Sequence, residues 1–116
     1  MRIMTICGTG VDIESIARFR GMERKKDKRF FSRIYTKSEL DYCFSKKDPA
    51  QHLAVRFAAK EAVVKALHQQ RPFTDIEVRL HKSGAPFVHV KKSSKRIHLS
   101  MSHCDEYAVA YVIAES

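Results

Sequence analysis

Apolar and polar positions along this chain follow two rhythms, a helical one in the first two thirds and an alternating one in the last. Residues 3–12 (IMTICGTGVD) read as a buried strand running into a glycine-rich turn. Asp12 then stands where a helix N-cap would, ahead of Ile13, Ile16, Ala17 and Arg20 at helical spacing. Thr36-Lys37-Ser38-Glu39 fits a capping box, followed by Leu40, Cys43 and Phe44 at i, i+3 and i+4. Asp48-Pro49-Ala50-Gln51 is a second strong start, with proline at the first helical position. It opens the longest predicted helix, 49–68. Beyond it the period changes. Ile76, Val78 and Leu80 alternate with polar residues, and Ser83-Gly84-Ala85-Pro86 turns the chain into Phe87, Val88 and Val90. Lys91 to Arg96 is a polar connection, and 97–103 and 107–115 form a last strand pair around Cys104-Asp105-Glu106. The segment YAVAYVIAE is apolar on both faces, which predicts a central strand. The expectation is a single α+β domain over 1–116, an antiparallel sheet packed on one long buried helix.

Length and composition narrow the class. A chain of 116 residues supports one core. Its apolar stretches fall far short of the ~18 residues of a membrane span. The start MRIMTICGTGVDI has neither the apolar core nor the cleavage site of a secretory signal, so the expected location is cytoplasmic. Cys7, Cys43 and Cys104 are odd in number and lack CxxC spacing, which argues against a disulfide framework and a structural zinc site.

Charge adds a partner to the picture. The net charge is +9, and it is concentrated. Arg18 to Lys37 holds nine bases and two acids, Arg79 to Arg96 six bases and no acid. Such patches attract a polyanion, whether nucleic acid, a phosphorylated small molecule or an acidic protein.

Three groups of residues are out of place for a plain core. The long helix is apolar nearly all round, yet carries Arg56, Lys60, Glu61 and Lys65. By the 100° step Arg56 and Lys60 share one strip, Glu61 and Lys65 another. Spacing leaves two readings open: two surface strips with a Glu61–Lys65 ion pair, or Glu61 on a metal with the lysines toward phosphate. Asp12, after a strand of small residues that lets backbone approach a ligand, is either an N-cap or a second metal-binding carboxylate. On the strand His98 to Cys104, period two puts His98, Ser100 and Ser102 on one face, and Leu99, Met101 and His103 on the other. Adjacent strand residues face opposite ways, so Ser102 and His103 do not make a simple nucleophile pair. They are satisfied sheet residues, or phosphate and hydroxyl contacts at a site the strand lines.

Together these segments resemble the holo-acyl-carrier-protein synthase family of 4′-phosphopantetheinyl transferases. The match comprises GTGVDIESIARFR, RFFSRIYTKSELDYC, RFAAKEAVVKAL, DIEVRLHKSGAPFV and IHLSMSHCDEYAVAYVIAE, in the family's order and over nearly the whole chain. The resemblance implies the phosphopantetheinyl transferase fold. It also implies a magnesium-dependent transfer of phosphopantetheine from coenzyme A to a serine of an apo acyl carrier protein, with 3′,5′-ADP released, as a step of fatty acid biosynthesis. Manganese is the alternative ion. It assigns Asp12 and Glu61 to the metal, and Lys65, with Lys60 nearby, to the coenzyme A phosphates. Gly84, Pro86, Ser102 and His103 are assigned to the coenzyme A site. It implies a homotrimer with active sites between subunits, and a basic first helix docking the acidic carrier through Arg18, Arg20, Met22 and Arg24. One departure stands out: where the family carries a glycine-rich loop, this chain has His68-Gln69-Gln70-Arg71-Pro72-Phe73-Thr74. That loop leaves Arg71 as a substitute phosphate contact, or closes in another way. It also raises an alternative, a relative that binds coenzyme A without turning it over. The rival from another class is a nucleic-acid-binding domain using Arg18–Lys37. That stretch holds Phe30, Phe31 and Tyr35 but no single-strand or helix-turn-helix signature, so nucleic acid stands second.

Overall fold

The long helix is the axis on which the rest of the chain packs. The structure, a computed structural model, describes residues 3–116. Strand β1 (Ile6–Ser15) leads through a 3₁₀ turn (Ile16–Phe19) to helices α1 (Lys28–Ile34), α2 (Lys37–Phe44) and α3 (Pro49–Leu67). Strands β2 (Ile76–Leu80), β3 (Pro86–Val90), β4 (Arg96–His103) and β5 (Tyr107–Glu115) follow. All pairings are antiparallel, in a three-stranded sheet ordered β1–β5–β4 and a separate β2–β3 hairpin. The α+β expectation holds, with β5 central, and the sheet is divided in two.

Small residues let α3 lie close on the three-stranded sheet. Ala110, Val112 and Ala114 of β5 pack with Ala58, Ala59, Ala62 and Ala66 of α3, all buried. Gly8 and Gly10 sit where a Cβ would lie 1.8 Å from the carbonyl oxygen of Ala66 and 1.9 Å from that of Ala62. These glycines therefore admit the helix backbone and not a ligand. At the other end of α3 an aromatic cluster of Phe19, Phe31, Tyr35 and Phe57 closes the core, with the Tyr35 hydroxyl donating to the Leu53 carbonyl at 2.6 Å.

Two expectations at the start of the chain are corrected. Asp12 is not an N-cap: β1 stays paired with β5 from Gly8↔Ala114 to Ser15↔Tyr107, carrying Asp12 inside the strand. Val11 and Ile13 alternate with Asp12 and Glu14, a period of two that cross-strand pairing favours over the helical spacing. The first helix is accordingly one 3₁₀ turn, ended by extended Arg20 and by Gly21 at φ +81°. One face of the three-stranded sheet is open. Val11, Ile13, Tyr107 and Tyr111 stand about half exposed on the side away from α3.

The capping box at Thr36 is present: the Glu39 N–H donates to Thr36 Oγ1, and the Thr36 N–H to Glu39 Oε1. Helix α3 begins at Pro49 as expected and ends one residue early, on His68 in the left-handed region at φ 55°. The three cysteines are free.

Candidate active site

Strand alternation places Asp12 and Glu14 on the face of β1 that meets α3, opposite the small partners Ala110 and Ala108. Glu61 comes toward them from α3, so three carboxylates crowd one region. Burial, then the hydrogen bond and charge of Asp12, push the Glu14 carboxyl up to about 7, against the lowering effect of Arg18. Burial and the Asp12 charge likewise raise Glu61, with Lys65 and Arg18 opposing. Arg18 Nη1 donates to Glu14 Oε1 at 3.2 Å. Lys65 does not pair with Glu61 along the helix. Its ammonium donates to the Val11 carbonyl at 2.8 Å and lies 3.6 Å from Asp12 Oδ1. The Glu61–Lys65 ion pair is therefore absent, although Lys65 itself stays on the surface with its side chain 52% exposed.

Asp12 Oδ2 is buried, and among the described residues no N–H, ammonium or hydroxyl donates to it. A buried carboxylate oxygen without a donor is costly, and a cation meets that need. Among the described residues no three His, Cys, Asp or Glu side chains form an all-protein metal cage. Magnesium does not require one, since it is held by one or two carboxylates with waters and substrate oxygens completing the shell. Asp12 and Glu61 offer hard oxygen donors of that kind, and the residues fit the ion.

A second site lies on another side of α3. Gly84, Pro86, Ser102 and His103, forecast to act together, line one cleft of about 220 Å³ with His52 and Arg56. Gly84 makes the hairpin turn possible at φ +91°. Ser102 and His103 make no hydrogen bond to one another among the described residues, consistent with their facing opposite ways.

Arg56 is the residue whose role spacing did not disclose. It is 3% exposed, forms no ion pair with a carboxylate among the described residues, and its Nε is buried without a hydrogen bond there. Its guanidinium stacks 4.3 Å from the Tyr42 ring centre. A buried cation without a counter-ion, opening on a cleft, calls for an anionic ligand. Burial, then the charges of Arg56 and His103, hold His52 below its ordinary pKa. The signal in the sequence was Arg56 itself, a charge on a helix apolar all round.

Lys60 is a correction. The resemblance sets it near the coenzyme A phosphates, but its side chain is fully buried. The ammonium donates to Glu39 Oε1 at 2.8 Å, to the Phe73 carbonyl at 3.0 Å and to the Ile76 carbonyl. All three protons are used, and none is left for a substrate.

The residues forecast for the carrier lie on the 3₁₀ turn and the loop after it, and the arginines already hold acids. Arg18 takes Glu14, Arg20 takes both oxygens of Asp48 at 3.0 Å, and Arg24 takes Asp41 at 2.7 Å, while Met22 packs partly into the core. The unusual loop closes through Arg71, which donates to the Lys91 carbonyl at 3.2 Å and to Gln69 Oε1 at 2.9 Å. Arg71 thus ties the loop to the β3–β4 connection.

Fold and sites together mark an α+β protein with carboxylates gathered on one side of its long helix and a buried arginine at a cleft on another. The profile of the 4′-phosphopantetheinyl transferase superfamily matches residues 8–112, and the chain belongs to that superfamily. It is 48% identical over 118 residues to a holo-[acyl-carrier-protein] synthase of Chlamydia muridarum, covering 93% of this chain and 94% of the relative. To the holo-[acyl-carrier-protein] synthase of Thermodesulfovibrio yellowstonii it is 43% identical over 108 residues, covering 91% of this chain and 96% of the relative. Among solved structures it resembles a holo-(acyl-carrier-protein) synthase from Bacillus anthracis in complex with CoA (3′,5′-ADP). That likeness has a TM-score of 0.83 at 37% identity, over 98% of this chain and 99% of the other.

Proposed function

We propose that this chain is a holo-[acyl-carrier-protein] synthase, moving 4′-phosphopantetheine from coenzyme A to a serine of an apo acyl carrier protein and releasing 3′,5′-ADP. The observation that carries the reading is the nearly full-length similarity to synthases of that name, one of them crystallised with CoA (3′,5′-ADP). The serine oxygen bonds to the pantetheine-side phosphorus, the bond from that phosphorus to the oxygen of 3′,5′-ADP breaks, and the serine proton leaves. Glu61 is the acceptor for that proton, directly or through a water. Asp12 and Glu61 would hold magnesium, or manganese, which when bound neutralises charge on the phosphate oxygens. Lys65 offers its ammonium to the leaving phosphate. Arg56, with Ser102, His103, Gly84 and Pro86, binds and orients the nucleotide end of coenzyme A. Arg18, Arg20, Met22 and Arg24 present the carrier-docking surface, the arginines exchanging their internal acids for the carrier's.

The chain acts as a homotrimer in the cytoplasm, in fatty acid biosynthesis. The half-exposed Val11, Ile13, Tyr107 and Tyr111 on one sheet face supply the apolar area for subunit contact. The carboxylates and the cleft lie on different sides of α3, which suits an active site made from the carboxylates of one subunit and the cleft of its neighbour. No helix among the described residues is long and apolar enough to cross a membrane.

The test is to incubate the protein with apo carrier, coenzyme A and magnesium and to weigh the carrier. A gain of one phosphopantetheine, abolished by EDTA and by Asp12→Ala or Glu61→Ala in folded variants, is expected. An unmodified carrier would sink the reading, and salt-sensitive RNA binding in its place would favour the nucleic-acid alternative.

A further inference from the structure

We infer that the buried Glu39–Lys60 pair is a positioning device for the cleft, fixing the β2–β3 hairpin against α3. The inference rests on the cleft being the coenzyme A site.

A two-stranded hairpin is marginal by itself, so its place depends on what anchors it. Strand β2 pairs with β3 along one edge only. On its other edge the N–H of Val78 and the carbonyl of Ile76 point the same way, two residues apart, as they would toward a third strand. The ion pair takes that place. Glu39 Oε2 accepts from the Val78 N–H at 2.9 Å, and Lys60 donates to the Ile76 carbonyl. Lys60 also holds the Phe73 carbonyl at 3.0 Å, just ahead of the strand. Both side chains are 0% exposed. Glu39 has a second duty, since its Oε1 accepts the Thr36 N–H of the α2 capping box at 2.9 Å. One carboxylate thus ties the start of α2, the middle of α3 and the free edge of β2.

The consequence is felt in the cleft. The hairpin supplies Leu80, Gly84 and Pro86 to one wall, α2 supplies Tyr42, and α3 supplies Arg56. The pair fixes these elements relative to one another without touching the substrate. Neither residue is a catalytic residue; both act through the wall they hold.

The test compares wild type with Glu39→Gln, Lys60→Met and the double variant. The double variant leaves no unpaired buried charge and is the one expected to keep its fold. Hydrogen exchange is read at the amides of 76–90 and of 107–115, and 3′,5′-ADP affinity is measured beside it. In the double variant the hairpin amides are expected to exchange about tenfold faster or more, with the β5 amides unchanged, and the Kd for 3′,5′-ADP to rise about tenfold. Wild-type hairpin protection in the folded double variant would overturn the inference. So would an equal loss of protection in β5, which would mark a general stability role. Failure of the wild-type protein to bind 3′,5′-ADP would strike the coenzyme A reading instead, and hairpin exchange would still decide the positioning.

Discussion

Asp12 concentrates the chemistry of this chain at a single residue. It has one buried oxygen without a donor, a lysine ammonium 3.6 Å from the other, and two further carboxylates that its charge helps to push upward. A pH dependence follows. Glu14 titrates near 4.5 when unfolded and about 7 when folded, so the folded chain holds a proton that the unfolded chain releases. That contribution to stability is full below the unfolded value and disappears as pH rises through the folded one. Replacing Asp12 with Asn removes the neighbouring charge. The urea midpoint of Asp12→Asn should therefore fall less than that of wild type between mildly acid and mildly alkaline buffer. Parallel curves would mean that Asp12 does not drive the crowding. Transfer activity should meanwhile be lost in Asp12→Ala and in Glu61→Ala with the far-ultraviolet circular dichroism unchanged, and near-normal turnover in either would remove it from the metal site.

At the scale of elements, the contact of β1 with α3 depends on two missing Cβ atoms. Gly10→Ala would set a methyl group 1.9 Å from the Ala62 carbonyl oxygen, and backbone on both sides leaves it no flexible neighbour to displace. A loss of about 1–3 kcal/mol or more is expected on denaturant unfolding. An unchanged midpoint would mean that strand and helix are not in such close contact. Most elements were legible because their signals are local: the Thr36–Glu39 capping box, proline at the start of α3, alternation in β2 and the two-sided apolar run of β5. The first helix was misread because Ile13, Ile16 and Ala17 satisfy a helical spacing while Val11 to Glu14 also satisfies alternation, and only pairing with β5 decides between them. Lys60 was misplaced for a similar reason. Its partner Glu39 lies 21 residues away on another helix, beyond any pattern of spacing. Asp12, Glu61 and Lys65 were found together because each is a charge where the local pattern calls for none. Arg56 carried the same signal, but its purpose became visible only beside Tyr42 and the cleft.

The whole molecule leaves one face of its sheet uncovered and its two sites apart. Ile13 is 62% exposed and Val11 52%, beside Tyr107 and Tyr111, a larger apolar surface than scattered side chains account for. The proposed homotrimer would cover it, and on that proposal the carboxylates of each subunit meet the cleft of the next. Two inactive proteins test that arrangement, Asp12→Ala and the cleft variant Arg56→Gln with His103→Ala. They are to be mixed in equal amounts, dissociated and reassembled, and the rate of phosphopantetheine transfer to apo carrier measured. If each site draws on two subunits, chance pairing makes one interface in four intact, and activity should return to about a quarter of wild type. If the carboxylates and cleft of one chain work together, no mixed assembly contains an intact site, and a rate no higher than that of the parents would contradict the account.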